Sequence, residues 1–349
     1  MLKRLTPREQ IEQLTADWDA KFRASFLEAV NEIISRITLG LIVERLERGD
    51  VQGAINALNI EQAAFGGLAT TVHQAFNAGG IAIVSGIPAI KDPEGHRAVL
   101  RFDVRDPAAE AWVRLHSATL VQGLTTEAVA SSRATIETGL AAGRGPRAIA
   151  TDLVGRISRA SGKREGGTIG LTEAQAQQLA NARSQLISGD PEALRAFMQR
   201  KLRDRRFDRT VEKVIREGKS LDKATVDRMI TSLSNRMLKF RADTIARTET
   251  LEAIEASQHE GYRQTMDRLG LNPMTDVEKE WIATSGDRTR DTHMALHGQK
   301  VEGLDTPFQS ISGAMLRFPG DRSLGAPASE LINCRCHPIY RLRFERALR

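Results

Sequence analysis

Two pairs of residues near the C-terminal end of this sequence have types and spacing suited to holding a metal ion. His293 and His297 stand four apart, and a short helix predicted from Asp287, as its N-cap, to Gly298 puts both imidazoles on one face. Cys334 and Cys336 open an alternating run. In it Cys334, Cys336, Pro338, Tyr340, Leu342 and Phe344 share one strand face, and Arg335, His337, Ile339, Arg341 and Arg343 share the other. The two thiols therefore point inward together. With His293, and with His297 or Asp287 as a fourth ligand, they can complete a tetrahedral zinc site of the closed, structural kind, which contributes folding free energy and leaves no position for water. The alternative is that the cysteines are plain small core residues. Peptidase chemistry of the zincin type is unsupported, because its general-base Glu follows the first His directly and that position is Met294. Cysteines separated by one residue cannot bond to each other without strain, and with no third cysteine there is no disulfide framework.

Two further segments invite a phosphate-binding reading. Ser158–Thr172 is a Gly-rich basic loop containing Lys163, but a P-loop needs Gly at the position of Ile157 and Ser or Thr at that of Arg164, so the segment reads as a solvated connector able to touch nucleic-acid phosphates. The net charge of +6 is uneven: residues 191–250 hold 16 Lys/Arg against 9 Asp/Glu, and residues 338–349 hold 4 against 1. Arg200, Lys201, Arg203, Arg205, Arg206 and Arg209 form the densest cluster. Such a cluster gives salt-dependent, sequence-independent affinity for DNA, or is simply a solvated face balanced here by Asp204 and Asp208. Paired acidic residues with two-metal spacing do not occur.

The elements that must position these groups are mostly helical. With 41% hydrophobic, 27% charged and only 5% aromatic residues, the 349-residue chain reads as a globular, Ala- and Leu-rich helical protein rather than a β-sandwich or a disordered one. Trp18, Phe22, Phe26, Val30, Ile33, Ile37 and Leu41 recur at helical spacing and predict one long helix over residues 17–48, with Gly49 past its end. Residues 76–108, punctuated by Gly79, Gly80, Gly86, Pro88, Pro93, Gly95 and Pro107, read as a hairpin or extended arm. The apolar run within it, Ala78–Ile90, is about 13 residues long against the roughly 20 of a membrane span. Lys3 and Arg4 are followed by no apolar core, so the N-terminus does not read as a signal peptide. Helices are predicted over residues 108–140, from Pro146, and after a capping box of Thr172 and Gln175. Residues 193–261 read as helical with breaks near Gly218 and Leu221, the last helix running from Leu233 to Leu269 and ending at Gly270 and Leu271 in a Schellman stop. Beyond Pro273 the pattern shortens: Glu280–Thr284 reads as a strand, Ser285–Gly286 as a turn, and the strand from Cys334 to Phe344 as central or nearly so. The fold class is therefore α+β, with a helical body and a small mixed C-terminal domain. The domains read as 1–130 with the arm, a basic helical 131–241, and 242–349.

Residues 243–337 carry a series of motifs: Ile245-Ala246-Arg247-Thr248-Glu249-Thr250, then Trp281 to Asp287, Arg288-Thr289-Arg290, His293 and His297, Pro319-Gly320-Asp321, and Asn333-Cys334-Arg335-Cys336. In this order and spacing they resemble the Mu F-like head-morphogenesis domain of tailed bacteriophages. The resemblance is strongest over 242–340 and extends more weakly upstream through Arg203–Asp208 and Gly166–Thr172. It implies a minor head protein and not an enzyme, associated with the portal, major capsid or scaffolding protein, in the head interior or at the portal vertex, and made in the host cytoplasm. It implies roles in procapsid assembly, DNA packaging or genome delivery, with phage DNA as a further partner. Relatives often carry Cys-x-x-Cys where this chain has Arg290 and His293, so the implied ligand set is incomplete here. Arg288 and Arg290 can instead bridge carboxylates such as Asp321. The alternative reading is a metal-dependent enzyme, nuclease-like, using the His/Asp/Cys cluster, against which stands the poor affinity of thiolates for magnesium.

Overall fold

The computed structural model describes residues 7–87, 96, 98–159, 161–284, 286–287 and 289–343. Most of the predicted arm between Pro88 and Arg97, together with Ser285, Arg288 and the tail from Phe344, lies outside them. In chain order the elements are α1 (Pro7–Arg36), α2 (Leu39–Glu47), α3 (Val51–Asn56), α4 (Gly66–Gly86), α5 (Pro107–Ala141), α6 (Pro146–Val154), β1 (Arg156–Ile157), β2 (Arg164–Glu165), α7 (Glu173–Ile187), α8 (Pro191–Met198), α9 (Asp208–Glu217), α10 (Lys223–Leu269), β3 (Val277–Ile282), α11 (Asp291–Leu296), β4 (Lys300–Glu302), β5 (Phe308–Gln309), β6 (Met315–Leu316), α12 (Ala328–Leu331) and β7 (His337–Leu342). The class is α+β and mostly helical, with its sheets small and antiparallel. Among the described residues no helix is long and apolar enough to cross a membrane.

The chain divides into two compact units, each assembled from separated stretches. The first comprises Met1–Ala24, Leu68–Ala118 and Asp243–Arg349; the second comprises Ser25–Gly67 and Thr119–Ala242. The chain passes from one to the other within α1, α4, α5 and α10.

In the second unit the core is a helical cluster of Leu179, Leu186, Leu194, Phe197, Val211, Met229 and Leu233, among others. Its helices start and stop as local chemistry dictates. Pro146 occupies the first turn of α6, and Thr172 and Gln175 form a reciprocal capping box on α7. The Gly-rich segment folds into the β1–β2 hairpin and returns through Gly166, whose φ of +81° only glycine adopts readily. The predicted helix over 17–48 is broken: Ile37 and Thr38 separate α1 from α2, with Thr38 extended at φ −88°, ψ 101°. Two consecutive β-branched residues followed by Gly40 weaken the helix there, while the apolar spacing continues across the break and conceals it. The last helix begins ten residues earlier than predicted, because the Asp222 side chain accepts the Thr225 N–H at 2.9 Å and its backbone carbonyl accepts that of Val226 at 3.0 Å.

In the first unit, two glycines of the predicted arm, Gly79 and Gly80, prove to be packing residues. Residues 76–86 continue α4, where a Cβ on Gly79 would stand 2.2 Å from Ser257 Oγ and one on Gly80 2.4 Å from the Phe102 ring. Glycine here permits close approach rather than a turn. The Schellman stop forms as predicted: Leu271 N–H donates to Met266 C=O at 3.0 Å, Gly270 N–H to Asp267 C=O at 3.4 Å, and Leu271 packs back on Met266 and Leu269. The three-stranded sheet runs β4-β3-β7, so β3 is central and β7 is an edge strand, contrary to expectation. An edge also tolerates Pro338, which pairs opposite Trp281. The alternation itself holds: Cys334, Cys336, Pro338 and Tyr340 are buried, and Arg335, Ile339 and Arg341 are exposed.

Candidate functional site

Central strand β3 buries Val277, Lys279 and Trp281 on one face, and Trp281 has no exposed surface. Its indole meets His293 edge-on at 5.3 Å and Phe308 likewise at 5.3 Å, which fixes α11 against the sheet. Helix α11 is one and a half turns long and starts at Asp291 behind Arg290, not at Asp287, which lies in an exposed turn. His293 and Leu296 face inward from it. His297 does not share their face, since its backbone leaves the helix at φ −56°, ψ 124° ahead of Gly298 at φ +78°. Its exposed ring accepts the Ala283 N–H on Nδ1 at 3.2 Å.

The strand entry supplies the sulfur atoms. Asn333 adopts φ +57°, and its N–H donates to Thr248 Oγ1 at 3.1 Å, turning the chain so that Cys334 and Cys336 both enter the core. Each Sγ lies 3.4 Å from His293 Nδ1, and the Cys336 N–H donates to Cys334 Sγ at 3.4 Å. Of the predicted metal set, His293, Cys334 and Cys336 come together, and His297 and Asp287 do not join them. The far nitrogen of His293, Nε2, stands 2.8 Å from Glu330 Oε2. Glu330, which the sequence reading missed, is 3% exposed and is itself anchored, accepting from Ser312 Oγ at 2.7 Å and Thr292 Oγ1 at 3.1 Å. Burial works against its charge, but these hydroxyls and His293 outweigh burial and keep its carboxyl below the usual range. The hydrogen bond from Cys334, aided by His293, pulls Cys336 well below an ordinary thiol, while the same hydrogen bond and burial push Cys334 up.

Both cysteines line a pocket of about 370 Å³ whose wall includes Asp19, Arg247, Glu255 and His337. Glu255 is 1% exposed, and its Oε2 has no hydrogen-bond partner among the described residues. Burial, and then the nearby Cys336, push its carboxyl well above the ordinary value.

A second cluster lies in the same unit. His116 on α5 sits between two acids of α10, with Nε2 2.7 Å from Glu249 Oε2 and Nδ1 3.3 Å from Glu252 Oε1. Its ring stacks on Trp112 at 4.6 Å and 8°. Arg322 pairs with Glu252 and reaches Glu249 Oε1 at 3.6 Å. The Pro319-Gly320-Asp321 motif delivers that arginine: Gly320, at φ +89°, lies against the backbone of Glu252. Asp321 takes Nε of Arg317 at 3.0 Å and the Ser323 N–H at 3.0 Å. Arg290 instead donates to the Ile332 carbonyl, so the expected Arg290–Asp321 bridge is replaced by a local one, and Arg288 lies outside the described residues.

The basic cluster, in the second unit, is partly spent on its own acids. Arg203 donates to both oxygens of Asp208 at 3.0 and 2.9 Å, Arg206 to Asp204 at 2.7 Å, and Arg200 to Gln185 at 3.0 Å. Hydrogen bonds from Arg206 hold the Asp204 carboxyl far below its usual range. Lys201, Arg205 and Arg209 are exposed. The second unit nevertheless carries the charge of the whole chain, with 26 Lys/Arg against 19 Asp/Glu, while the first holds 24 against 25.

Compared with known proteins, residues 205–339 match the family model described as Phage Mu protein F like protein. No curated protein and no solved structure matches the chain.

Proposed function

We propose, on the premise that residues 205–339 make this a Mu F-like phage protein, that the chain is a minor head protein of a tailed bacteriophage or prophage. The family is one of phage head morphogenesis and its proteins are structural, so its setting is the capsid. The finer reading places the protein in the head interior or at the portal vertex, in contact with portal, major capsid or scaffolding protein, aiding procapsid assembly, DNA packaging or genome delivery. The family match carries this reading. The charge of the second unit supports it: a surplus of +7 on one unit suits a neighbour as anionic as packaged DNA, whose phosphates bind Lys and Arg with release of counterions. A nuclease reading would draw on paired carboxylates, and one buried pair, Glu249 and Glu252, is already engaged by His116 and Arg322.

Mass spectrometry of procapsids and mature particles, made from the genome that encodes this chain, tests the proposal. The protein is expected in at least one of the two at substoichiometric level relative to the major capsid protein. Its absence from both refutes a head component. Cross-linking within procapsids then identifies the neighbour.

A further inference from the structure

We propose that His293, Cys334 and Cys336 bind a single zinc ion with three protein ligands, leaving a fourth coordination position that opens on the pocket lined by Asp19, Arg247 and Glu255. The site stands independently of the head-protein reading, since it rests on side-chain geometry within one unit.

Three observations carry it. First, each sulfur lies 3.4 Å from the same imidazole nitrogen. With Zn–S near 2.3 Å and Zn–N near 2.05 Å, the S-to-N edge of a tetrahedron is roughly 3.5 Å, so both S-to-N distances already match one zinc ion, and the two sulfurs lie within 4.8 Å of each other. Second, the opposite nitrogen of His293 faces Glu330 at 2.8 Å, and Glu330 is held by Ser312 and Thr292. That carboxylate is within ion-pair distance of Nε2 but not aligned for a hydrogen bond to it among the described residues; alignment on metal binding would fix the tautomer that leaves Nδ1 for metal. The Cys336 N–H on Cys334 Sγ stabilises thiolate at the same centre. Third, His297 turns its Nδ1 to the Ala283 N–H and Asp287 lies in an exposed turn, whereas both cysteines border a pocket containing a buried carboxyl oxygen of Glu255 that has no hydrogen-bond partner among the described residues. Orphaned buried oxygens of this kind call for a partner. Two sulfur donors and one imidazole select zinc over magnesium or calcium, which take oxygen. When bound, the ion would join the entry of β7 to α11 and hold water or a small anion on the pocket side, with Glu255 available to hydrogen-bond it.

The test uses the full chain, purified under reducing conditions, with zinc alone as the probe and cobalt(II) as its spectroscopic stand-in. The expected result is one zinc per chain, a thiolate-to-cobalt charge-transfer band, and visible cobalt bands that shift when azide is added. Glu330→Gln should weaken zinc binding about 10-fold, while His297→Ala and Asp287→Ala should leave zinc content unchanged. Because Cys336→Ser alters a buried core position as well as a ligand, the wild-type protein supplies a second measure: chelator should expose both cysteines to alkylation, and zinc should protect them. A protein that takes up no zinc and whose thiols alkylate equally fast with and without it overturns the site. Cobalt bands indifferent to azide, or loss of zinc in His297→Ala, overturn the open fourth position in favour of a closed one.

Discussion

His116 and Glu249 meet 2.7 Å apart, Nε2 to Oε2, although 133 residues separate them in sequence and both side chains are nearly inaccessible. Burial alone would strip the imidazole of its proton, but the charge and hydrogen bond of Glu249, reinforced by Glu252, outweigh burial and lift it to about 9 from 6.5.

A pKa raised on folding means that the folded state holds its proton more tightly than the unfolded state, so protonation of His116 stabilises the fold. The contribution is complete below about pH 6.5 and is lost as pH rises through about 9. His116→Gln is therefore expected to lower stability at pH 6 by about 3 kcal/mol, as for one partner removed from a buried pair, and to abolish this decline. Thermal melts from pH 6 to 10 measure both; an unaltered pH profile in the variant contradicts the assignment.

Lys279 produces a slope of opposite sign. Its side chain has no exposed surface, and Nζ donates to the Arg317 carbonyl at 2.8 Å. Burial holds the amine down to about 7 from 10.5. Between those values the unfolded chain binds a proton that the folded chain refuses, so stability rises with pH across the window and the penalty is complete below it. Lys279→Met should remove that rise and gain about 1 kcal/mol at pH 6. In the wild type the two residues offset one another between about pH 7 and 9; each variant should expose the slope of the other residue in a melt series.

Among the basic residues, exposure separates two expected outcomes. Arg205 and Arg209 are free to meet phosphate, and Arg205→Glu with Arg209→Glu should flatten the dependence of duplex-DNA affinity on salt by roughly one unit for each phosphate no longer neutralised. Arg203, fixed on Asp208, should affect melting temperature when replaced by Ala and leave the salt slope nearly intact. Titrations at several salt concentrations distinguish the two, and equal slopes for all variants would assign the cluster to solvation alone.

Gly80→Ala tests whether α4 is held by close approach. The added methyl would stand 2.4 Å from the Phe102 ring, and overpacking of that kind costs about 1–3 kcal/mol. A melting temperature equal to wild type would show that the ring moves aside freely.

What was legible in the sequence was local. The capping box at Thr172, Pro146 at a helix start, the stop at Gly270, and the inward pair Cys334 and Cys336 each depend on residues a few positions apart, and each forms as read. Gly79 and Gly80 misled because a glycine chosen for packing has the same letter as one chosen for a turn. The four-residue spacing of His293 and His297 implied a shared face, but the helix ends one residue too soon. Glu330, His116 and Arg322 gave no signal at all, because their importance comes from partners that only the tertiary fold brings near.

The matched stretch does not coincide with either compact unit. The family match begins at Arg205 in one unit and finishes in the other, while the first unit also needs Leu68–Ala118. A fragment cloned at the edges of the match would retain Glu249 and Glu252 and discard His116, leaving Arg322 as the remaining cation described beside two buried acids. Exchange of C-terminal segments between related genomes meets the same obstacle, since an incoming α10 must find a matching base on a helix encoded more than a hundred codons upstream. Viable recombinants are therefore expected to co-inherit the two stretches, and correlated change at positions 116, 249, 252 and 322 is the trace that such linkage would leave in a lineage.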